Sequence, residues 1–172
     1  MDHLRSFPEV VKTERLTLQP LFDSDYDALI ALFRDEVVKQ TYMLPDLSDE
    51  ASADALFCRM KELSEKNDRL VRGIYLEQKL IGVINDVGIN DCSIELGYAL
   101  HPNHHNRAYM TEALSTVIHA LKTCGFSTVR AGAFSENAAS IRVMEKCGMQ
   151  RIADTEEIEY RGNTHLCIYY EV

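Results

Sequence analysis

The middle of the chain constrains the fold most, because a strand pattern, a polar loop and a helix pattern follow one another there. Residues 92–100 read as a strand, and residues 101–108 form a polar loop. Apolar residues then recur at helical spacing from Tyr109 to Cys124, and Gly125 is a typical residue at a helix end. A strand that leads into a long amphipathic helix predicts an α/β protein.

Strand and helix patterns also mix over the rest of the chain, with a predicted hairpin towards each end. We see no repeat, linker or low-complexity tract, so residues 1–172 are expected to form a single domain. Antiparallel hairpins beside a strand–loop–helix unit predict a mixed sheet. The other predicted elements are strands at 16–20, 70–76, 79–84 and 128–133, helices at 23–34, 48–65 and 138–146, and two last strands around the turn at 161–163.

Composition and charge exclude several classes of protein. No apolar stretch approaches the roughly 18 residues that a membrane-spanning helix needs, and the first five residues lack the apolar core of a secretion signal. We therefore expect a cytoplasmic protein without a membrane partner. A net charge of -9 argues against a nucleic-acid partner, since phosphate backbones need a basic surface.

Neither the cysteines nor the histidines have a metal-ligand pattern. The five cysteines are widely spaced without a C-x-x-C pair, so we expect free thiols rather than disulfides or a zinc site. His101, His104 and His105 lie together in the central loop, but their spacing matches no established ligand set. The sequence therefore predicts no metal.

The central loop has the features of an anion site. The first N–H groups of a helix lack helical partners, and with the helix dipole they attract phosphate. Asn106 tolerates a positive φ, Ala108 is small enough for close approach, and Arg107 adds positive charge. These features permit phosphate binding without requiring it, so an ordinary polar loop remains an alternative.

Three segments resemble one enzyme family. His105–Ala113, with the sequence H-N-R-A-Y-M-T-E-A, resembles the acyl-CoA loop Q/R-x-x-G-x-G/A of the GNAT superfamily of N-acetyltransferases. In one branch that loop commonly reads Q-G-K-G-Y-A-T-E-A. Here His105 replaces the Gln, and Asn106 and Ala108 replace two glycines. Since Asn adopts positive φ at modest cost, the loop geometry can survive these changes.

The other two segments resemble the RimJ/RimL-type branch, the ribosomal-protein N-terminal acetyltransferases. Residues 137–149 resemble N-x-x-S-x-R-V-x-E-K-x-G-F, with Met149 in place of the Phe. Residues 13–18 resemble the opening T-E-R-L-x-L. The matches follow the branch's order over most of the chain.

The resemblance implies a fold, a cosubstrate and a reaction. The fold is the GNAT fold, a mixed, mostly antiparallel central sheet flanked by about four helices. The reaction moves the acetyl group of acetyl-CoA to a primary amine, a protein N-terminus or a small amine, by direct attack in a ternary complex. The residues implied to bind acetyl-CoA are Leu100, His105, Asn106, Arg107, Ala108, Tyr109, Met110, Asn137 and Ser140.

Glu95 is the candidate base that removes the amine proton. Along the predicted strand, Glu95 shares one face with Gly97 and Ala99, while residues 94, 96, 98 and 100 face the core. A carboxylate beside two small residues leaves room for a substrate. In related enzymes a Glu near this position often acts, commonly through water. The alternative is a carboxylate paired with a surface cation.

The resemblance also implies how the rest of the reaction is supported. A backbone N–H near Ala99 or Leu100 would stabilise the oxyanion where the strands splay at a bulge. Ser140 is the candidate proton donor to the leaving sulfur, the alternative being a thiolate that leaves unassisted or takes a proton from water. Asn137 would bind the pantetheine amide. Many GNAT enzymes place a Tyr acid where this chain has Met144. The alternative for Asn137 and Ser140 is a plain helix start.

Other functions and partners stay open at this stage. A non-catalytic acyl-CoA-binding or regulatory module is the alternative function, whereas a nucleotide-binding protein lacks its expected glycine motifs. The acceptor side should come from residues 23–65 and the last hairpin near Arg161. Asp46, Asp49 and Glu50 could attract a cation there, but are equally normal at a helix start. Final strands often exchange between subunits in this family, which allows a homodimer.

Overall fold

A computed structural model describes residues 6–172, so the first five residues, used above for the secretion signal, lie outside the described part. One sheet of eight strands runs through the molecule, with helices on both faces. The strands are β1 Val11–Lys12, β2 Leu16–Gln19, β3 Val71–Leu76, β4 Lys79–Ile89, β5 Ser93–Leu100, β6 Thr128–Phe134, β7 Gln150–Tyr160 and β8 Asn163–Glu171. The helices are α1 Tyr26–Arg34, α2 Glu36–Thr41, α3 Glu50–Ser64, α4 Tyr109–Thr123 and α5 Ala138–Lys146.

The sheet is mixed and mostly antiparallel, as expected. Its order is β1-β2-β3-β4-β5-β6-β8-β7. Strands β5 and β6 form the parallel pair, and α4 is the crossover between them. The other neighbouring strands are antiparallel.

Two apolar cores lie on opposite faces of the sheet. Helices α4 and α5 pack on one face, where Leu100 and Leu114 are buried. Helices α1, α2 and α3 contribute to the core on the other face, which includes Phe33, Phe57 and Ala99. Because successive residues of a strand point to opposite faces, β5 contributes to both cores.

The described part has five α-helices where about four were expected. The additional one is α2, only six residues long, which Asp35 caps by accepting hydrogen bonds from the N–H groups of Val37 and Val38. Strand β4 also runs to Ile89, five residues beyond the predicted end. Among residues 6–172, no helix is long and apolar enough to cross a membrane.

Candidate active site

The two parallel strands separate halfway along their length. Ser93–Leu96 of β5 pairs with Thr128–Ala131 of β6, and the pairing stops there. Within the described residues, Gly97–Leu100 therefore has no strand partner on the β6 side. On the other side of β5, Val87 is an extra residue in β4 between the pairs Asp86–Leu96 and Gly88–Glu95. This bulge adds to the local twist, so the splay expected near Ala99 is present, with the bulge in the neighbouring strand.

A cleft of about 840 Å³ occupies this gap and continues along the start of α4 and of α5. We call it the central cleft. It brings together all the residues that were expected to act in catalysis or to bind acetyl-CoA. The cleft is lined by Glu95, Leu100, His105, Asn106, Arg107, Ala108, Tyr109, Met110, Asn137 and Ser140, with further residues from α2, β4, β6 and β8.

The loop before α4 has the backbone conformation that the sequence suggested. Asn106 has φ 58° and Ala108 has φ 61°, so both are left-handed. Ala108 occupies the N-cap position of α4, where its carbonyl accepts the first helical hydrogen bond, from Glu112. In the described part of the chain, no acceptor pairs with the N–H groups at positions 109–111. These donors, at the positive end of the helix dipole, form an anion site.

Three cations surround the same end of the central cleft. Arg107, Arg142 and Lys146 are exposed and line it, and none has an ion-pair partner among residues 6–172. His104 lies beside them with a buried Nδ1 atom that has no partner there. Burial, reinforced by the nearby His101 and Arg107, lowers the pKa of His104. This donor set fits the phosphates of coenzyme A, although the chain as a whole is acidic.

Leu100 presents its backbone to the gap. The next residue, His101, donates its N–H to the Ile81 carbonyl at 2.8 Å, on the β4 side. Backbone groups alternate in direction along a strand, so those of Leu100 point away from β4. His105 donates a ring N–H from Nε2 to the Leu100 carbonyl at 2.8 Å. The gap therefore contains a strand edge that can pair with an amide-bearing arm such as pantetheine.

Ser140 is joined to a hydroxyl that the sequence analysis assigned only to the core. The Tyr98 hydroxyl lies 2.8 Å from Ser140 Oγ, and both residues line the central cleft. Burial raises the pKa of Tyr98, which keeps the phenol protonated. The alternation along β5 correctly predicted that Tyr98 faces the core. It could not predict that the start of α5 lies over this residue. Met144 is fully buried in the core, consistent with the absence of a Tyr acid there.

Asn137 caps α5 with one side of its amide. Its Oδ1 atom accepts a hydrogen bond from the Ser140 N–H at 3.2 Å, as the helix-start alternative proposed. In the described structure its Nδ2 group has no partner, and the side chain lines the cleft. Capping and ligand contact are therefore compatible at this residue.

Glu95 has a cationic neighbour, as expected if its carboxylate pairs with a cation. Its Oε2 atom lies 3.4 Å from Arg130 Nε, which makes no hydrogen bond in the described structure. Arg130 also contacts Asp154 at 2.9 Å and stacks over the Tyr169 ring at 3.9 Å. Because the guanidinium is shared, the carboxylate is not held by a short bond. Burial raises the pKa of Glu95 despite the opposing effect of Arg130.

The charged residues expected on the acceptor side lie outside the central cleft. Asp46, Asp49 and Glu50 do not line the central cleft; they bond Ser48, cap α3 and pair with Arg34, respectively. Arg161 is also absent from the lining and lies against Tyr160. The wall on this side comes from α2 and the residues just after it, which lie within the expected range 23–65, and from Ile158, Cys167 and Tyr169 of the last hairpin. The sequence did not reveal α2 itself.

No metal cluster is present in the described residues 6–172. The loop histidines make other contacts: His101 Nδ1 accepts from the Asn103 N–H at 3.2 Å, and His105 contacts Leu100. All five cysteines are free thiols.

Known proteins share both the sequence pattern and the fold. The family profile described as acetyltransferase (GNAT) domain matches residues 15–150. The uncharacterised N-acetyltransferase YoaA of Bacillus subtilis (strain 168) is 26% identical over 163 residues, which cover 92% of each chain.

Solved structures superimpose over almost the whole chain. A GNAT-family acetyltransferase from Bacillus anthracis has a TM-score of 0.80 at 22% identity, covering 95% of this chain and 97% of that one. RimL, a ribosomal L7/L12 α-N-protein acetyltransferase solved with coenzyme A, has a TM-score of 0.84 at 17% identity, with the same coverage. At these identities the superpositions establish the fold, and the profile match establishes the family. The chain therefore belongs to the GNAT family of acetyl-CoA-dependent acetyltransferases.

Proposed function

We propose that this protein transfers the acetyl group of acetyl-CoA to a primary amine, a protein N-terminus or a small amine, by direct attack in a ternary complex. The observation that carries the proposal is the gap between β5 and β6. Glu95 lies on one face of the sheet, and the Tyr98–Ser140 hydroxyl pair on the other. A thioester held in the gap would meet the amine from the Glu95 face and release its sulfur towards the hydroxyls.

The donor half of the central cleft, lined by the starts of α4 and α5, would hold acetyl-CoA. The N–H groups at positions 109–111 and the cations Arg107, Arg142 and Lys146 would bind the phosphates. The Leu100 backbone and the free side of the Asn137 amide would bind the pantetheine arm. The His105 ring donates to the Leu100 carbonyl. When the arm binds, the ring would either move away from this carbonyl or stay beside the arm.

Glu95 would accept the proton that the amine gives up to attack the thioester, directly or through water. Burial raises the pKa of its carboxyl, which brings it closer to the range useful for a base at neutral pH. As the C–N bond forms and the C–S bond breaks, Ser140, hydrogen-bonded to the neutral Tyr98 phenol, would protonate the departing thiolate. A backbone N–H at the splay would stabilise the oxyanion.

Replacing Glu95 tests this assignment. Thiol release from acetyl-CoA is measured with a panel of amines for Glu95→Gln and wild type, and coenzyme A affinity is measured by calorimetry. We expect turnover to fall by about 10²-fold or more, the usual contribution of a general base, while coenzyme A affinity stays within about twofold. Glu157→Gln, on exposed β7, is the control and should keep full turnover. Equal turnover in Glu95→Gln and wild type would remove Glu95 from the mechanism.

One observation favours a second candidate, a non-catalytic acyl-CoA-binding module. The Arg130 guanidinium lies 3.4 Å from the Glu95 carboxylate and opposes the rise in its pKa that burial causes. Such a module would bind coenzyme A in the donor half but release no thiol with any amine of the panel.

A further inference from the structure

The half of the central cleft on the Glu95 face carries a single charged side chain. We call it the acceptor half. The charged residues that line the whole cleft are Glu95, Arg107, Arg142 and Lys146, and the three cations belong to the donor half. Glu95 is already close to Arg130. The acceptor half can therefore neutralise one ammonium group, and among residues 6–172 no second carboxylate lines it for another.

The rim of the acceptor half is apolar and exposed. Val37 on α2, Met43 after α2 and Val87 in β4 are 49%, 53% and 61% exposed, and all three line the cleft. Large apolar side chains that cluster around a pocket entrance indicate contact with an apolar ligand group.

Val87 places part of this rim beside the candidate base. It is the bulged residue whose neighbours pair with Leu96 and Glu95. A Cβ added to Gly97 would lie 3.2 Å from Val87 Cγ2, so the Val87 side chain covers the same face of β5 as Glu95. An amine that reaches Glu95 must therefore carry its substituent past an isopropyl group.

The segment that follows α2 is fixed in position. Tyr42 donates a hydrogen bond to Asn85 Oδ1 at 2.6 Å, and its ring stacks on Phe33 at 5.6 Å. These contacts hold the residue before Met43 against β4 and α1. The rim is thus a formed surface rather than a loose loop.

We propose that the acceptor is a primary amine carried next to a large apolar side chain. The amino terminus of a peptide that begins with such a residue and a free apolar amine share this chemistry. Polyamines and aminoglycosides do not fit, because their further ammonium groups would lie against an apolar rim. This inference rests on the proposed function and narrows its acceptor.

The test compares matched amines in the thiol-release assay. Leucinamide and glycinamide represent free amines, and peptides beginning with Leu or Gly, otherwise identical, represent amino termini; spermidine is the polycation. We expect kcat/KM to favour Leu over Gly by about tenfold or more, from burial of the side chain. The Leu-to-Gly ratio is compared between the two amides and the two peptides. The larger ratio tells whether the acceptor is a free amine or an amino terminus. Equal values for Leu and Gly, or a preference for spermidine, would overturn the proposal.

Variants on one strand give the local control. Val87→Ser should reduce the Leu-to-Gly ratio several-fold. Ile89→Ser, also exposed on β4 but outside the cleft, should leave it unchanged. If both variants reduce the ratio equally, the effect is not local and the proposal fails.

A binding measurement separates this inference from the proposed function. Calorimetric titration of the enzyme–coenzyme A complex with leucinamide, glycinamide and spermidine needs no turnover. Absence of thiol release with every amine would reject the proposed function, while tighter binding of leucinamide would still support an apolar amine site. Spermidine binding as tightly as leucinamide would reject that site.

Discussion

Ala108 begins α4 in a conformation that suits glycine better. Its φ of 61° is left-handed, which costs an L-residue roughly 1–2 kcal/mol. Ala108 is also exposed, so removing its methyl group loses little packing. We expect Ala108→Gly to raise the free energy of unfolding by about 1 kcal/mol, measured by urea denaturation.

Ala120, inside the same helix, provides the matched control. There the backbone is helical, and Ala120→Gly should lower the free energy of unfolding by about 1 kcal/mol. A loss of stability in both variants would mean that position 108 is not left-handed in solution.

The sequence predicted the phosphate end of the site more fully than the catalytic end. Asn106 and Ala108 carry local information, because backbone conformation depends on the residue that adopts it. The sequence around Tyr98 contains no such local information about its role. Its hydroxyl gains a role only because α5, which starts 40 residues later, lies over its face of the sheet.

The Tyr160 hydroxyl, at the β7–β8 turn, helps to hold the wall that follows α2. Tyr160 donates to the Lys39 carbonyl at 2.7 Å, and its oxygen accepts from the Leu44 N–H at 3.3 Å. The segment between these contacts includes Met43, on the cleft rim. We expect Tyr160→Phe to raise KM for the amine several-fold, because the wall loses these bonds, with KM for acetyl-CoA unchanged.

Tyr26→Phe is the control for that measurement. The Tyr26 hydroxyl donates to Asp54 at 2.5 Å on the outer surface of α1 and α3, away from the cleft. Steady-state kinetics should give wild-type values for both substrates. Equal rises in the two KM values of Tyr160→Phe would indicate a general loss of structure instead of a local one.

At the level of elements, the long patterns were predictable and the short irregular ones were not. Helix α4 has four turns with a regular apolar stripe, whereas α2 has six residues and mainly a cap to define it. The bulge at Val87 breaks the alternation of β4. The sequence therefore predicted that strand to end at residue 84. Both features shape the acceptor half.

In the whole molecule, the sheet separates two chemical environments. The unpaired cations and helix starts of the donor half lie towards α4 and α5, and the apolar rim lies towards α2 and β4. The gap between β5 and β6 joins them within the central cleft. Under our proposal, acetyl-CoA and an apolar amine would reach this gap from different sides of the sheet.

Two motif segments far apart in the chain meet at Glu112. Its carboxylate accepts hydrogen bonds from Thr13 Oγ1 at 2.5 Å, the Arg15 N–H at 2.8 Å and Arg15 Nε at 2.7 Å. Arg15 also lies over the Tyr109 ring at 4.5 Å. In the sequence these residues belong to separate motifs. The contacts show that they form one tether between the first strands and α4.

This tether should contribute stability that depends on pH. Burial opposes ionisation of Glu112, but the bonds from Thr13 and Arg15 outweigh it and lower its pKa. A lowered folded-state pKa gives stability that is present above the unfolded value, about 4.3, and is lost as pH falls through the folded value. Glu112→Gln should therefore lower the free energy of unfolding by about 1–2 kcal/mol at neutral pH, with the difference shrinking in acid. Urea denaturation across pH measures it, with Glu157→Gln as an exposed control; a constant difference at all pH values would show that ionisation of Glu112 plays no part.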